Sequence, residues 1–335
     1  MFTLEIGFDM THSQALSKTT RLLMIIMIIV LFSACGGSSN STSTDENNEP
    51  PTNDTDNSGS VSTDTIFCEY ENDTFNDSEY VQEYSTAFWS CNNGIRDLAA
   101  NGVPDHIVGE FPNMNNPNTI SVQGVSASFT LTPTQTDTAS QLGGPRGTVG
   151  YILNGVKIDA GTGGSCDDSG SNCSLGDPSG GWNIEALGQP HFDFGTDINN
   201  AHVQPGGTYH YHGMPEGFIE LRGGNENQMT LIGWAADGFP IYARYGYSNP
   251  QDANSNIAVM TGSYQLVTSV SNDRPSTDVY QLGTFVQDWE YVENSGDLDE
   301  CNGRFGVTPD FPEGIYHYFA TDTYPYFQRC VKGSL

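Results

Sequence analysis

The sequence predicts a mainly β fold, either an antiparallel sandwich or a distorted barrel, with long Gly-rich loops and few short helices. The first observation is the composition: the 335 residues include 38 Gly, 17 Pro, 17 Phe and 16 Tyr, which favours turns and strands over long helices. The second is that short apolar or alternating runs are separated by Asn-Gly, Asp-Gly and Gly-Gly dipeptides, which are typical of tight turns between strands.

One helix and several strands are expected in chain order. Residues 78–90 are the best helical candidate, because apolar side chains recur there at helical spacing: Tyr80, Val81, Tyr84 and Phe88. Strands are expected within five later stretches that are rich in β-branched and aromatic residues: 119–131, 149–158, 228–247, 263–270 and 284–292.

The N-terminal region predicts export and a lipid anchor. An apolar run at 22–32 is too short to span a bilayer but fits the core of a secretory signal. The segment "LFSAC" (31–35) resembles the bacterial lipobox, which implies cleavage before Cys35 and a diacylglyceryl group on that residue. We therefore expect a lipoprotein of the cell envelope, anchored in the outer membrane and facing the periplasm or the cell surface. An ordinary secretory signal is the alternative.

The rest of the chain is expected to form one domain behind a flexible tether. Residues 36–65 are mainly Ser, Thr, Asn, Asp and Gly with almost no apolar side chain, so this segment cannot bury enough apolar surface to fold. No later stretch has the composition of a linker. The predicted organisation is a signal peptide at 1–34, a lipid-anchored linker at 35–65 and a single domain at 66–335.

The charge of the chain restricts its partners. Eleven basic residues against 41 acidic ones give a formal net charge of −30, which repels phosphate backbones and argues against nucleic acid as a partner. The membrane, through the lipid anchor, is the expected partner, together with an unidentified small-molecule or polysaccharide ligand. The acidic loops at 166–173 and 297–300 are candidates for weak calcium sites.

Six cysteines remain after Cys35, and an even number in an exported chain predicts disulfides. Sequence proximity favours three pairs: Cys68 with Cys91, Cys166 with Cys173, and Cys301 with Cys330. A cysteine metal cluster is the alternative, and the absence of any C-x-x-C pair in the sequence argues against it.

The stretch "HVQPGGTYHYH" (202–212) predicts a metal site. Residues two apart share one face of a strand, so His210 and His212 point the same way. A three-residue loop at 205–207 would bring His202 across from His210, and its Pro-Gly-Gly sequence suits that loop length. Three imidazoles without thiolates favour zinc or copper(II).

Two further residues are candidates to complete the ligand shell, His317 and Asp237. His317 lies in "PEGIYHYFA" (312–320), which repeats the frame P-x-G-x-Y-H-Y of the first stretch, although Phe319 stands where the first copy has His212. Each candidate also has a structural interpretation. The histidines could be core residues bonded to hydroxyls and carbonyls, and Asp237 could bond its own backbone in a turn before Pro240.

Several ordered blocks resemble the YHYH-domain family: 101–120, 151–159, 202–215, 231–247 and 299–321. The resemblance covers roughly 100–332. The family has no settled biochemical activity, so the resemblance implies a domain and not a reaction. It does place His106 and Asp237 inside motif blocks, beside the histidines already named.

Two functions are therefore expected. The first is a metal-binding domain, in which a metal-bound water could serve a hydrolase, with His106 as a candidate base, or a copper site beside tyrosine could serve an oxidase. The alternative is a non-catalytic module that binds glycan or protein through a stacking platform of Trp182, Trp234 and Trp289. The sequence has no G-x-S-x-G elbow, phosphate-binding loop or dinucleotide fingerprint.

Overall fold

The computed structural model describes residues 60–142 and 147–335. The expected signal peptide, Cys35 and nearly all of the linker lie outside these residues. The described chain consists mostly of strands and turns, with an α-helix at Glu216–Leu221 and a 3₁₀ turn at Val286–Asp288. Curled, largely antiparallel sheets form a half-barrel, which confirms the mainly β prediction. Among the described residues, no helix has the length and apolar character needed to cross a membrane.

The strands in chain order are β1 (Glu71–Asn76), β2 (Glu83–Asn92), β3 (Ile95–Ala100), β4 (Val125–Thr130), β5 (Gln135–Gln141), β6 (Thr148–Ile152), β7 (Lys157–Asp159), β8 (Ser165–Cys166), β9 (Cys173–Ser174), β10 (Trp182–Asn183), β11 (Ala201–Val203), β12 (Tyr209–Tyr211), β13 (Leu231–Ala235), β14 (Pro240–Tyr242), β15 (Tyr245–Tyr247), β16 (Ile257–Val259), β17 (Tyr264–Leu266), β18 (Trp289–Tyr291), β19 (Gly303–Gly306), β20 (Ile315–Phe319) and β21 (Cys330–Gly333). Each of the five predicted strand stretches overlaps at least one of them, and Pro240 is the first residue of β14, where its missing N–H is tolerated.

The strands form one large sheet and several smaller ones. Strands β1 to β4 pair in chain order, and eight strands pair in the order β11-β12-β7-β6-β13-β14-β20-β19. Strand β5 pairs with β21, β15 with β16, and β17 with β18, while β8 lies between β9 and β10. Two pairings in the large sheet are parallel, β12 with β7 and β14 with β20.

The predicted helix at 78–90 is wrong, because the second part of this stretch belongs to β2. Burial along β2 alternates as in a half-buried strand: Ser85, Ala87 and Trp89 point inward. Tyr84 and Phe88 are 52% and 44% exposed. The apparent helical spacing therefore came from solvent-facing aromatic residues, and pairing with β1 and β3 on either side decides the structure.

The large sheet consists of two halves with the same plan. The first half contains β6, β7, β11 and β12, and the second contains β13, β14, β19 and β20. In each half, a hairpin with an Asn-Gly or Asp-Gly turn pairs in parallel with the strand that carries the Tyr-His-Tyr sequence. The halves meet where β6 pairs with β13, with Tyr151 opposite Trp234.

Corresponding side-chain hydrogen bonds recur in both halves, although the tyrosine accepts in one case where its counterpart donates. The Tyr209 hydroxyl donates to Asp197 at 2.8 Å, and the Tyr316 hydroxyl donates to Asp299 at 2.9 Å. The next tyrosine in each strand contacts the first residue of its hairpin turn. Asn154 donates to the Tyr211 hydroxyl at 3.2 Å, and the Tyr318 hydroxyl donates to Asp237 at 2.5 Å. The two hairpin pairs are therefore structural repeats.

Three disulfides connect the pairs that sequence proximity favours: Cys68–Cys91, Cys166–Cys173 and Cys301–Cys330. The folded part begins slightly before the predicted boundary at Ile66. Thr63 is buried, and its N–H donates to Leu131 at 2.7 Å. The buried Arg96 side chain lies 3.5 Å from the Trp234 ring and donates to the carbonyl oxygen of Thr63. These contacts attach the start of the domain to its core.

Candidate metal centre

The hairpin β11–β12 has the register that the turn sequence predicts. His202 stands opposite His210. The loop is closed by hydrogen bonds from Gln204 N to Thr208 O at 2.9 Å and from Gly207 N to Gln204 O at 3.0 Å. Gly206 and Gly207 both have positive φ angles, 98° and 88°, which side chains with a Cβ rarely adopt. The three-residue loop therefore sets which residues face each other.

His202, His210 and His212, called the triad below, converge through their Nε2 atoms. His212 Nε2 lies 3.0 Å from that of His210 and 3.1 Å from that of His202. The ring centroids form a nearly equilateral triangle with sides of 4.6, 4.7 and 4.8 Å. Nitrogens bound at about 2.0–2.1 Å in a tetrahedral shell are about 3.3 Å apart. These two separations are within a few tenths of an ångström of that value, and all three ligand nitrogens lie within 4.8 Å of one another, so the triad could hold one ion.

Hydrogen bonds at the outer nitrogens orient two of the rings. His202 Nδ1 lies 2.8 Å from the Phe194 carbonyl and His210 Nδ1 lies 3.3 Å from the Thr208 carbonyl. A carbonyl only accepts, so Nδ1 carries the proton and each Nε2 lone pair points inward. Among the described residues, no group forms a hydrogen bond of ordinary geometry to His212 Nδ1. The nearby backbone of Asp159 nevertheless favours the protonated form of the His212 imidazole.

The triad is held in the neutral form that binds metals. Burial, followed by the charge of the neighbouring imidazoles, holds the pKa of His212 well below 6.5. Burial, followed by His202 and Lys157, does the same for the pKa of His210. The pKa of His202 is also lowered by burial, with partial opposition from the Phe194 carbonyl. A proton on His212 Nε2 can form a good hydrogen bond to only one of the other two imidazoles, whereas a metal cation can accept the lone pairs of all three nitrogens.

The triad forms part of the wall of a cavity of about 630 Å³. This triad cavity is also lined by polar side chains, among them Lys157, Asp159, Gln204 and Asn118. Sites of this kind, with three protein ligands and an accessible side, are typical of catalytic rather than structural zinc. A small molecule could therefore reach an ion held by the triad.

The structure does not bring His317 or Asp237 to the triad. Within residues 60–142 and 147–335, the triad is the one group of three or more His, Cys, Asp or Glu side chains close enough to share an ion. His317 lies in β20, where its Nδ1 donates to Ile315 O at 2.9 Å and its ring packs against Tyr242. Asp237 accepts from Phe239 N at 3.3 Å, which is the turn bond that its structural interpretation requires.

His106 lies behind the triad, on the other side of β12. Its Nε2 is 2.5 Å from the Tyr211 hydroxyl and its Nδ1 is 3.0 Å from the Ile107 carbonyl. Tyr209 and Tyr211 point to this side, as the alternation along a strand requires. His106 does not line the triad cavity, so it positions Tyr211 and does not face a ligand there. His191 is exposed, lies outside the triad cavity and accepts from Gln281 N at 3.3 Å.

Sequence reasoning did not identify Lys157, which lies beside the triad. In the parallel pairing of β7 with β12, Lys157 stands next to His210. Its ammonium donates to Asp159 at 2.5 Å and to Gln204 at 3.0 Å. The parallel pairing joins segments about 50 residues apart, so no local pattern in the sequence could have placed this lysine.

The features proposed for glycan and calcium binding are not assembled as expected. Trp234 is fully buried beneath Arg96, so it cannot belong to an exposed platform with Trp182 and Trp289. In the acidic loop at 166–173, Asp167 accepts hydrogen bonds from its own loop, and these lower its pKa to about 2. Neither acidic loop forms a group of three ligands among the described residues.

Acidification is expected to destabilise the protein through His317. Burial, aided by the nearby charge of Arg304, lowers the pKa of His317 from 6.5 to about 3. The unfolded chain therefore binds a proton below pH 6.5 that the folded protein rejects, and stability falls as pH decreases through this range. For His317 the loss between pH 7 and pH 5 is about 2 kcal/mol.

Urea unfolding of metal-free protein at both pH values measures this loss. In His317→Gln, which cannot titrate here, the decrease in the free energy of unfolding should be smaller by this amount. An equal decrease in both proteins would show that His317 does not titrate as its burial requires.

The fold and the site together define a disulfide-linked, mainly β domain with a histidine triad that could hold a metal ion. A family model described as YHYH protein matches residues 126–333. Because the match covers more than half of the chain, the chain belongs to the YHYH protein family, as the sequence blocks indicate. No curated protein matches the chain, and no solved structure does.

Proposed function

We propose that this chain is a lipid-anchored, extracytoplasmic metal-binding protein whose triad holds one zinc or copper ion. The observation that carries the proposal is the convergence of three Nε2 atoms, with contacts of 3.0 and 3.1 Å, on rings that burial keeps neutral. Imidazole ligands without thiolate favour zinc or copper(II), and copper(II) is expected to bind more tightly.

The triad cavity supports a reactive rather than a purely structural ion. Three protein ligands leave a coordination position on the cavity side, where bound water would have its pKa lowered towards neutrality. Such a water can attack a carbonyl or phosphoryl group. The tyrosines of β12 face the opposite side, which argues against the alternative of a tyrosine beside copper. Metal-dependent hydrolysis is therefore the reaction class that this arrangement favours.

The location rests on the sequence and on the disulfides. The lipobox-like segment "LFSAC" ends at Cys35, and the three disulfides suit an oxidising compartment outside the cytoplasm. Labelling with radioactive palmitate in a bacterial host, in wild type and in Cys35→Ser, tests the anchor. Label that is retained in Cys35→Ser would contradict lipidation at this residue.

Metal content and affinity test the triad directly. Protein purified without added metal is analysed for its elements, then stripped and titrated calorimetrically with zinc and with copper(II). We expect one ion per chain with Kd below about 10 μM, which corresponds to a binding free energy of about −7 kcal/mol. His210→Ala combined with His212→Ala removes two of the three ligands and should abolish saturable binding.

A matched control separates the triad from histidine binding in general. His191→Ala removes an exposed imidazole outside the triad cavity, so its stoichiometry and affinity should equal those of wild type. The proposal fails if wild type shows no saturable binding, or if the double variant binds as wild type does. Near-UV circular dichroism confirms that each variant is folded.

A further inference from the structure

The two halves of the large sheet differ where the triad lies. Tyr211 pairs with Ile158 and Tyr318 pairs with Ile241, so the residues on either side of these isoleucines correspond. His202 and Arg304 correspond because they stand opposite His210 and His317. Four residues of the first half differ from their counterparts in the second. His202 corresponds to Arg304, His212 to Phe319, Lys157 to Pro240, and Asp159 to Tyr242.

The comparison separates residues that hold the fold from residues that serve the cavity. Both halves keep the bonded tyrosines, the carboxylates that accept from Tyr209 and Tyr316, and the histidine between the tyrosines. Since the framework is the same without them, Lys157 and Asp159 are not needed to build it. Both line the triad cavity, which points to a role in binding the ligand of that cavity.

Lys157 is built to present a charge to the cavity. Its ammonium has three N–H groups, of which one donates to Asp159 at 2.5 Å and one to Gln204 at 3.0 Å. Gln204 in turn donates to Asp159 at 2.9 Å. These bonds fix the ammonium in place on the cavity wall and leave its third N–H for a ligand.

The negative charge of Asp159 does not cancel the positive charge that the site carries when a divalent metal ion is bound. Its buried carboxylate also accepts from the Thr148 hydroxyl at 2.9 Å, so it is held by three side chains. A divalent ion with Lys157 and Asp159 has a net charge of about +2, on a chain whose formal charge is −30. A local positive region of this kind attracts anions by electrostatic focusing in a cleft.

We propose that Lys157 is the anion-binding subsite of the metal centre, and that the cavity takes a small ligand bearing a carboxylate or phosphate group. One ligand oxygen would occupy the coordination position on the ion, and a second would accept from the Lys157 ammonium. A volume of about 630 Å³ suits a small organic molecule. This inference rests on the proposed metal site and adds its ligand class.

Anion binding to the metal-loaded protein tests the inference. Wild type and Lys157→Met are loaded with cobalt(II) or copper(II) and titrated with oxalate and, separately, with inorganic phosphate, while the d–d absorption of the ion is recorded. We expect saturable spectral shifts in wild type. Lys157→Met should weaken anion binding about 10- to 100-fold, the effect of one charged hydrogen bond, with the metal stoichiometry unchanged.

Three controls make the result specific. Imidazole is neutral and needs only the ion, so it should bind wild type and Lys157→Met equally. Lys157→Arg keeps the charge and should retain most of the anion affinity. Lys332→Met removes a lysine that pairs with Glu300 at 2.6 Å and does not line the triad cavity, so it should behave as wild type. Circular dichroism confirms the fold of each variant.

The outcomes distinguish this inference from the proposed function. If stripped wild type takes up no metal, the proposed function fails before any anion is added. If metal and imidazole bind but neither anion does, or if Lys157→Met binds anions as tightly as wild type, the metal site stands and the anion subsite is overturned. A shift with only one of the two anions supports the subsite and identifies the ligand group.

Discussion

Saturating zinc or copper(II) is expected to raise the unfolding temperature of the metal-free protein by about 10 °C. A ligand that binds only the folded state, present at about a thousand times its Kd, adds about 4 kcal/mol to the free energy of unfolding. In a domain of this size each kcal/mol corresponds to about 2–4 °C. The pairing of β11 with β12 in the folded sheet is what brings the three rings together, so the ion binds the folded state more tightly than the unfolded chain. Differential scanning calorimetry with and without a chelator measures the shift.

Matched histidine variants show whether this stabilisation comes from the triad. His212→Ala removes the ring whose Nε2 contacts both of the others, so nearly all of the shift should disappear. His317→Gln alters the corresponding strand of the second half and should keep the full shift. The same shift in His212→Ala and in wild type would place the stabilising ion elsewhere on the molecule.

The largest loss of stability from a single substitution is expected for Asp288→Ala. The Asp288 carboxylate accepts from Arg274 Nε at 2.7 Å and Nη2 at 2.8 Å, and from the N–H groups of Gly283 and Phe285. Both side chains of the ion pair are almost fully buried, at 2% and 1% exposure. Alanine would leave the Arg274 guanidinium buried without its counter-ion, which costs about 3–5 kcal/mol.

Chemical denaturation under oxidising conditions measures this change. Glu300→Ala is the control, since the Glu300 carboxylate that pairs with Lys332 is 35% exposed and solvated pairs contribute about 1 kcal/mol or less. A loss below 1 kcal/mol for Asp288→Ala would mean that the Arg274 side chain finds another partner or reaches solvent.

Much of the candidate site could be predicted because the information is local. The loop at 205–207 sets the register of one hairpin, and that register alone brings His202 opposite His210. Strand alternation then places His212 on the same side. The disulfides follow sequence proximity for the same reason, since each closes a short segment of chain.

The errors came from contacts that are distant in sequence. Tyr84 and Phe88 resemble a helical face until β1 and β3 are known to pair on either side of β2. His317 repeats the motif of His210, but Arg304 stands opposite it on the neighbouring strand and Phe319 follows it on its own strand, where His210 has His202 and His212. Lys157 lies beside the triad only through a parallel pairing, which leaves no periodic signal in the sequence.

The central pairing of β6 with β13 gives the large sheet an approximate two-fold symmetry. Tyr151 and Trp234 occupy corresponding places in their halves and face each other there. Two identical strands paired in this way are related by a two-fold axis, as in an isologous homodimer. The sheet therefore has, within one chain, the approximate two-fold symmetry of such a homodimer. Because both halves belong to one chain, their sequences can differ, so one half can carry a ligand site while the other keeps only the shared scaffold, an asymmetry that identical subunits cannot attain.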